Sequence, residues 1–236
     1  MKKVIGLIPA AGKGSRLNLP FPKELYPVVS ASGMLTPVAA YAMDQIANVT
    51  NRCVVVITPD KHQIMDYYGN GLWFDGISIR YMVQDGGTDL ADAVRAAYSA
   101  IKGKRVAFVM PDTIIRPDWA MAEMEQQMTD DDDMVMGLFR VEDPSKFGMV
   151  SSIGGFATGV YDKPEKTDIK YAWGCLLWQP RFTEMVWQNR DSFAINLHEL
   201  IFFGHVKVVV FDKPEHHYCD LGTVDGIKEY WKDALS

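Results

Sequence analysis

Gly12, Gly14, Arg16 and Lys23 stand close together just after the apolar run of residues 4–8. In Ile8-Pro9-Ala10-Ala11-Gly12-Lys13-Gly14-Ser15-Arg16-Leu17 a buried strand empties into a loop of small residues. Glycine reaches backbone conformations barred to other residues and lets a ligand approach the main chain closely. Successive N–H groups in such a loop form an anion-binding nest. Arg16 adds fixed positive charge, as does Lys23 within Pro22-Lys23-Glu24-Leu25. Strand, loop and cations together predict a polyphosphate site. The run is not GxxxxGK[ST], and Leu17 occupies the third glycine position of a GxGxxG fingerprint.

Other segments carry chemistry further along. Gln84-Asp85-Gly86-Gly87-Thr88-Asp89 sets an amide before a glycine turn and an Ala-rich stretch. A Gln amide offers a donor and an acceptor side by side, which suits a pyrimidine edge, and its two ends are interchangeable by a flip. Met110-Pro111-Asp112-Thr113 ends an apolar run with a carboxylate. Asp220 lies in Cys219-Asp220-Leu221-Gly222-Thr223, where it reads either as a functional carboxylate or as a helix cap, a role Thr223 also suits. His216, His217 and Cys219 match no usual zinc spacing and read as solvated or packing residues. The acidic run 130–133 reads as a solvated turn, and Tyr41, Met43, Met121, Met124 and Met128 as core.

The elements that position these residues alternate. Strands are expected over 3–8, 53–58, 77–83, 105–110 and 134–140. Helices are expected over 36–47 with Pro37 in the first turn, 60–68 capped by Asp60 and ended near Gly69, 89–101 closed by Gly103, and 118–128. This succession predicts an α/β fold: a Rossmann-like, doubly wound, mostly parallel sheet. Ligands bind such sheets beyond the carboxyl ends of the strands. Residues 10–16, 84–88 and Asp112 all follow strands and so fall on one edge. After Arg140 the pattern changes to a hairpin (147–152 and 156–161), a strand over 170–177, helices over 180–188 and 196–203, a strand over 206–211 and a helix over 224–234. With no internal repeat and no low-complexity linker, one domain over 1–236 is expected, in halves 1–140 and 141–236.

The loop with its following Pro-Lys resembles the signature of the sugar-nucleotide pyrophosphorylases, or sugar-1-phosphate nucleotidylyltransferases. The short gap from Arg16 to Lys23 is similar to the N-acetylglucosamine-1-phosphate uridylyltransferase branch, and Pro-Lys-Glu-Leu to the glucose-1-phosphate branch. Asp143-Pro144-Ser145-Lys146-Phe147-Gly148-Met149-Val150 followed by Asp162-Lys163-Pro164 resembles the family's D-P-x-x-Y/F-G-x-V and E-K-P pair. Asp162 stands where Glu is usual, and Pro111 where Gly usually precedes the metal Asp. The resemblance runs in order from Ile8 to Thr223. It implies transfer of a nucleotidyl group from an NTP, UTP or dTTP first, to a sugar-1-phosphate. It implies nucleotide binding by Ala10, Ala11, Gly12, Lys13, Gly14, Ser15, Gln84, Gly87 and Thr88, with Arg16 and Lys23 as the catalytic cations. It implies Mg²⁺ on Asp112 and Asp220, and sugar-phosphate binding by Gly148, Asp162, Lys163, Trp173 and Gly174 in the second half. Trp173 reads equally well as plain core. Relatives are often dimers or tetramers, which leaves a homo-oligomer open for this chain without fixing its oligomeric state. Two rivals stand beside this reading: a cytidylyltransferase of the same fold acting on phosphocholine or an alditol phosphate, and a non-catalytic sugar-nucleotide sensor.

Composition narrows the setting. The 236 residues carry a formal net charge of −6 and no long basic block, against an extended nucleic-acid surface. No apolar run is long enough to span a bilayer, and Met1-Lys2-Lys3 precedes only a short apolar run, unlike a signal peptide. The odd set Cys53, Cys175 and Cys219 suits a reducing cytoplasm. The chain stops soon after Thr223, leaving no expected room for the left-handed β-helix that some relatives append.

Overall fold

A computed structural model describes residues 3–30, 33–71 and 76–234. Met1 and Lys2, read above as a non-signal start, lie outside the described residues. In chain order the strands and helices are β1 (Val4–Pro9), β2 (Pro27–Val29), β3 (Leu35–Pro37), α1 (Ala39–Ala47), β4 (Arg52–Ile57), α2 (His62–Tyr68), β5 (Ser78–Val83), α3 (Leu90–Ile101), β6 (Arg105–Val109), β7 (Thr113–Arg116), α4 (Ala120–Gln127) and β8 (Met134–Arg140). There follow β9 (Gly148–Ile153), β10 (Phe156–Asp162), β11 (Tyr171–Trp178), α5 (Pro180–Gln188), α6 (Phe193–Phe203), β12 (Val206–Phe211), β13 (His217–Asp220) and α7 (Val224–Ala234).

The main sheet has nine strands in the order β5-β4-β1-β6-β11-β8-β12-β10-β9. Its first four are parallel neighbours. The sheet as a whole is mixed, which corrects the mostly parallel expectation. β11 lies antiparallel between β6 and β8, and β10 is antiparallel to both β12 and β9. Strands from both halves of the chain thus interleave in one sheet. Chain order reverses between β1 and β6, so the crevice beyond their carboxyl ends is a topological switch point.

Both faces of the sheet are covered, which is why β1 and β6 read as unbroken apolar runs rather than alternating ones. On one face Ala97 of α3, Phe182 of α5 and Leu200 of α6 pack over Leu7 and Phe108. On the other, Ile46 of α1, Ile64 of α2 and Met124 of α4 pack over Ile8 and Val109. A smaller cluster of Val28, Val38, Tyr41, Ile114 and Leu221 joins the β2–β3 ribbon to the β7–β13 ribbon and α7. No helix among the described residues is long and apolar enough to cross a membrane.

Three local expectations change. Pro37 ends β3, paired with Pro27, instead of opening a helix, and α1 begins at Ala39; a residue before proline is driven toward extended backbone, here Thr36. Asp60 sits in a 3-10 turn, Pro59–Lys61, and does not cap α2. The acidic run is not simply solvated, because Asp132 is only 2% exposed.

Candidate active site

β1 delivers its chain end into the loop at the switch point. Ala10 N donates to Val56 O of β4 at 2.7 Å, and Ala10 and Ala11 are buried. From Gly12 onward the loop turns to solvent. Leu17 N to Gly14 O is the one backbone hydrogen bond that residues 11–17 donate among the described residues. Gly14 is left-handed, at φ 64°. A row of N–H groups is therefore free to meet an anion. The loop walls a cleft of about 360 Å³ with Lys23, Gln84, Gly87, Thr88, Pro111 and Gly222.

Gln84 follows β5, and its backbone N–H bonds Ile57 O at the end of β4. The side chain is buried; Nε2 donates to Gly86 O at 2.8 Å, and Oε1 has no partner. Since a carbonyl can only accept, Gly86 O fixes the amide orientation and leaves Oε1 enclosed without a donor. Asp92 of α3 takes the N–H groups of Thr88 and Asp89, and Asp89 caps α3 through Ala91 N. The glycine turn is thereby locked onto the helix start.

Asp112 and Asp220 converge at the edge of this cleft. β7 follows Asp112 and pairs antiparallel with β13, setting Asp220 opposite Thr113. Leu221 N donates to Asp112 O at 2.9 Å. A Cβ at Gly222 would lie 2.7 Å from Asp112 Oδ2 and 2.9 Å from Asp220 Oδ1, so both carboxylates close on one residue without a side chain. Asp220 Oδ1 accepts from Gly222 N at 2.7 Å, while Thr223 Oγ1 takes Gly226 N and so serves the helix start. Lys23 Nζ donates to Asp112 Oδ2. Burial pushes the Lys23 ammonium down, but the Asp112 carboxylate outweighs it and its pKa is raised. Partial burial and the Asp112 charge push the Asp220 carboxyl above its usual range, against the pull of Gly222 N–H, Lys23 and Arg16. An Asp220 carboxyl pushed up by a neighbouring carboxylate belongs to a site that favours a cation. Among the described residues no three His, Cys, Asp or Glu side chains gather as a metal cage.

The remaining expected residues form a second group. Gly148 pairs with Asp162 across β9–β10, and Lys163 N bonds Phe147 O at 3.0 Å. Trp173 packs on this group: a Cβ at Gly148 would lie 2.4 Å from its Nε1. Trp173 also borders the core through Phe108 and Phe193. Gly174 makes room for Phe139, whose Cδ2 would lie 2.7 Å from an added Cβ. None of these five residues lines the 360 Å³ cleft. A larger cleft, about 700 Å³, has Asp220, Arg140, Lys146, Phe147 and Tyr218 in its wall. Gly222, Glu24 and Lys61 also shape the site without having been singled out. Glu24 lay within the Pro-Lys-Glu-Leu run, but Lys61 gave no signal in its Pro-Asp-Lys turn.

The fold and the placement of the cleft define a mixed α/β protein that presents its ligand-facing loops at a switch point. The sequence model described as nucleotidyl transferase matches residues 5–235, and the chain belongs to that family. It is 26% identical over 192 residues to the glucose-1-phosphate thymidylyltransferase of Neisseria meningitidis, covering 79% of this chain and 65% of that protein. It is 30% identical over 145 residues to the bifunctional protein GlmU of Parvibaculum lavamentivorans, covering 60% of this chain and 30% of that protein. The chain thus spans less than two thirds of the length of these curated relatives. Its fold is similar to that of a UDP-glucose pyrophosphorylase solved with UDP-glucose, with a TM-score of 0.80 at 18% identity, covering 100% of this chain and 99% of that one.

Proposed function

We propose that this chain transfers a nucleotidyl group from UTP or dTTP to a sugar-1-phosphate. The acceptor phosphate oxygen bonds the α-phosphorus, the bridge from the α- to the β-phosphate breaks, and pyrophosphate leaves with that electron pair. The observation that carries this reading is the convergence of Asp112 and Asp220 on Gly222, at the lip of a cleft walled by free loop amides. The larger cleft has Asp220 in its wall but not the amide loop, so the polyphosphate is assigned to the smaller one, which Gly222 lines. A sensor would have less need of both carboxylates.

The acceptor is already anionic, so no general base is needed; the protein must align two anions and offset their repulsion. Loop amides and Arg16 hold the leaving pyrophosphate. Lys23 stands by the α-phosphate or the acceptor. Asp112 and Asp220 would hold Mg²⁺, which takes one or two carboxylates plus phosphates and water and neutralises phosphate charge when bound. Asp162 and Lys163, beside Gly148, Trp173 and Gly174, are taken to receive the sugar phosphate. We take the chain as one nucleotidyltransferase domain, and as cytoplasmic.

Gln84 lines the cleft, and its amide oxygen has no donor but is enclosed; turned toward the cleft it would suit uracil or thymine, because each presents an N3–H to an acceptor. Cytosine N3 has no hydrogen there, which leaves the cytidylyltransferase reading second. Pyrophosphate release across UTP, dTTP, CTP, ATP and GTP, with glucose-1-phosphate and N-acetylglucosamine-1-phosphate as acceptors, tests both parts. UTP or dTTP should lead, and Gln84→Ala should raise its KM about tenfold, the worth of one hydrogen bond, with the sugar-phosphate KM unchanged. A preference for ATP or GTP refutes the base assignment; no release with any pair refutes the transfer.

A further inference from the structure

Lys61 is a charged side chain enclosed by the protein, 5% exposed in the turn after β4. Its Nζ donates to Ala10 O at 2.8 Å and to Glu24 Oε1 at 2.7 Å. The two acceptors belong to different arms of the nucleotide cleft. Ala10 opens the loop of free amides. Glu24 is the neighbour of Lys23 in the 3-10 turn Lys23–Leu25. With three residues per turn, adjacent side chains diverge by about 120°. Lys23 therefore reaches Asp112 while Glu24 turns inward to Lys61. Ala10 is gripped from both sides, its N–H by Val56 of β4 and its carbonyl by the residue four beyond the end of that strand.

Stability gives little reason for this pair. Taking two charges out of water is costly, and well-packed apolar residues of similar volume are often as stable or more so. Glu24 Oε2 has no partner, and burial pushes its carboxyl up in spite of Lys61. What the pair achieves is geometric. We infer that Lys61 is a positioning residue: an internal brace that sets the distance between the phosphate loop and Lys23, and so the fit of a polyphosphate chain between them. The brace rests on the proposed function only for the identity of the bound anion. Lys61 does not line the cleft, and both its hydrogen bonds run to protein oxygens.

The test removes both charges together, so that neither is left buried alone. Lys61→Met/Glu24→Leu is compared with wild type by calorimetric titration of inorganic tripolyphosphate and of UTP, alongside thermal melting. Both affinities should fall about tenfold, the equivalent of about 1.4 kcal/mol, with the melting midpoint at or above that of wild type. In turnover the NTP KM should rise while the sugar-phosphate KM holds. A purely structural pair would move the midpoint and leave both affinities alone, and that result overturns the brace. If the double variant does not fold, Lys61→Arg keeps the charge, but a planar fork does not reproduce two bonds from one nitrogen. It should weaken tripolyphosphate about threefold, a fraction of one hydrogen bond; unchanged affinity overturns the brace. A wild type that binds neither anion overturns it as well. A wild type that binds tripolyphosphate but releases no pyrophosphate refutes the transfer reading alone and leaves this comparison standing.

Discussion

At the edge of the sheet where β8 begins, Asp132 Oδ2 accepts from Thr129 N at 2.7 Å, Thr129 Oγ1 at 2.8 Å and Lys207 Nζ at 2.8 Å. Beside it Asp133 takes Arg181 Nη1 at 3.0 and 3.1 Å and His205 N at 3.0 Å. At the opposite edge, where β6 ends, Asp112 and Asp220 close on each other across Gly222. The pKa directions divide the same way. Burial pushes the Asp132 carboxyl up, yet Lys207 and Thr129 pull it below its usual range. Burial and Asp112 push Asp220 above its own. The donors to Asp132 and Asp133 offset burial there; Asp112 has Lys23 and Asp220 has Gly222 N–H, yet the two carboxylates still close on each other, the kind of arrangement the proposed chemistry would use. On the proposed function, the amino end of β8 serves stability, and the carboxyl end of β6 serves chemistry at its expense.

The strongest test of that division is Asp112→Asn. On the proposed function it should lower kcat by about 10²–10³, the usual worth of one electrostatic contributor in a preorganised site. The melting midpoint should fall, because the change leaves the largely buried Lys23 ammonium without its carboxylate, so turnover is compared per folded enzyme. Pyrophosphate release and a thermal melt check both halves. Near-normal turnover at ordinary Mg²⁺ concentration would remove the carboxylate pair from the chemistry.

Asp132→Ala is the reciprocal change. It strands Lys207 and Thr129 at a largely buried position and should cost about 2 kcal/mol, as expected for bonds to a charged acceptor. Denaturant unfolding reads the loss. Specific activity of the folded fraction should be unchanged. Lost activity at retained stability would break the contrast between the edges.

The two edges were not equally legible from sequence. Glycine turns after apolar runs marked the carboxyl edge, because a strand's end and its loop are local features. The Ala-rich run from Asp89 announced α3 for the same reason. Asp132 sat unseen within an acidic run, since its partner Lys207 comes from a distant strand. β7 and β13 were missed because strands of four residues gain their identity only by pairing, Thr113 with Asp220. The direction of β11 was equally hidden: Tyr171–Trp178 is a nearly unbroken apolar run that reads the same whether its neighbours run with it or against it. Lys61 showed nothing, because its role lies in the carbonyl of Ala10. Gly148 and Gly174 drew attention as glycines beside a ligand. Each has a packing reason in Trp173 or Phe139, which sequence alone does not separate from a binding one.

The finest distinction concerns stability at Asp220 itself. Its carboxyl holds a proton more tightly when folded than at its ordinary value of 3.8. By linkage, any stability tied to that proton is full below the unfolded pKa and is lost as pH rises through the folded one. At pH 7 the ionised Asp220 therefore costs stability. Asp220→Asn removes the charge and its repulsion with Asp112 while keeping an oxygen for Gly222 N–H. In chelator at pH 7 the variant should melt above wild type, by about 2–4 °C for each kcal/mol regained. The gain should shrink as pH falls toward the ordinary aspartate range, where wild type is protonated too. Mg²⁺ should raise the wild-type midpoint more than the variant's, since an ion bound only by the folded state stabilises it. Melts across pH, with and without Mg²⁺, decide the matter. A variant less stable than wild type at pH 7 in chelator would mean that Asp220 is satisfied in the manner of Asp132, and the division between the two edges would fall.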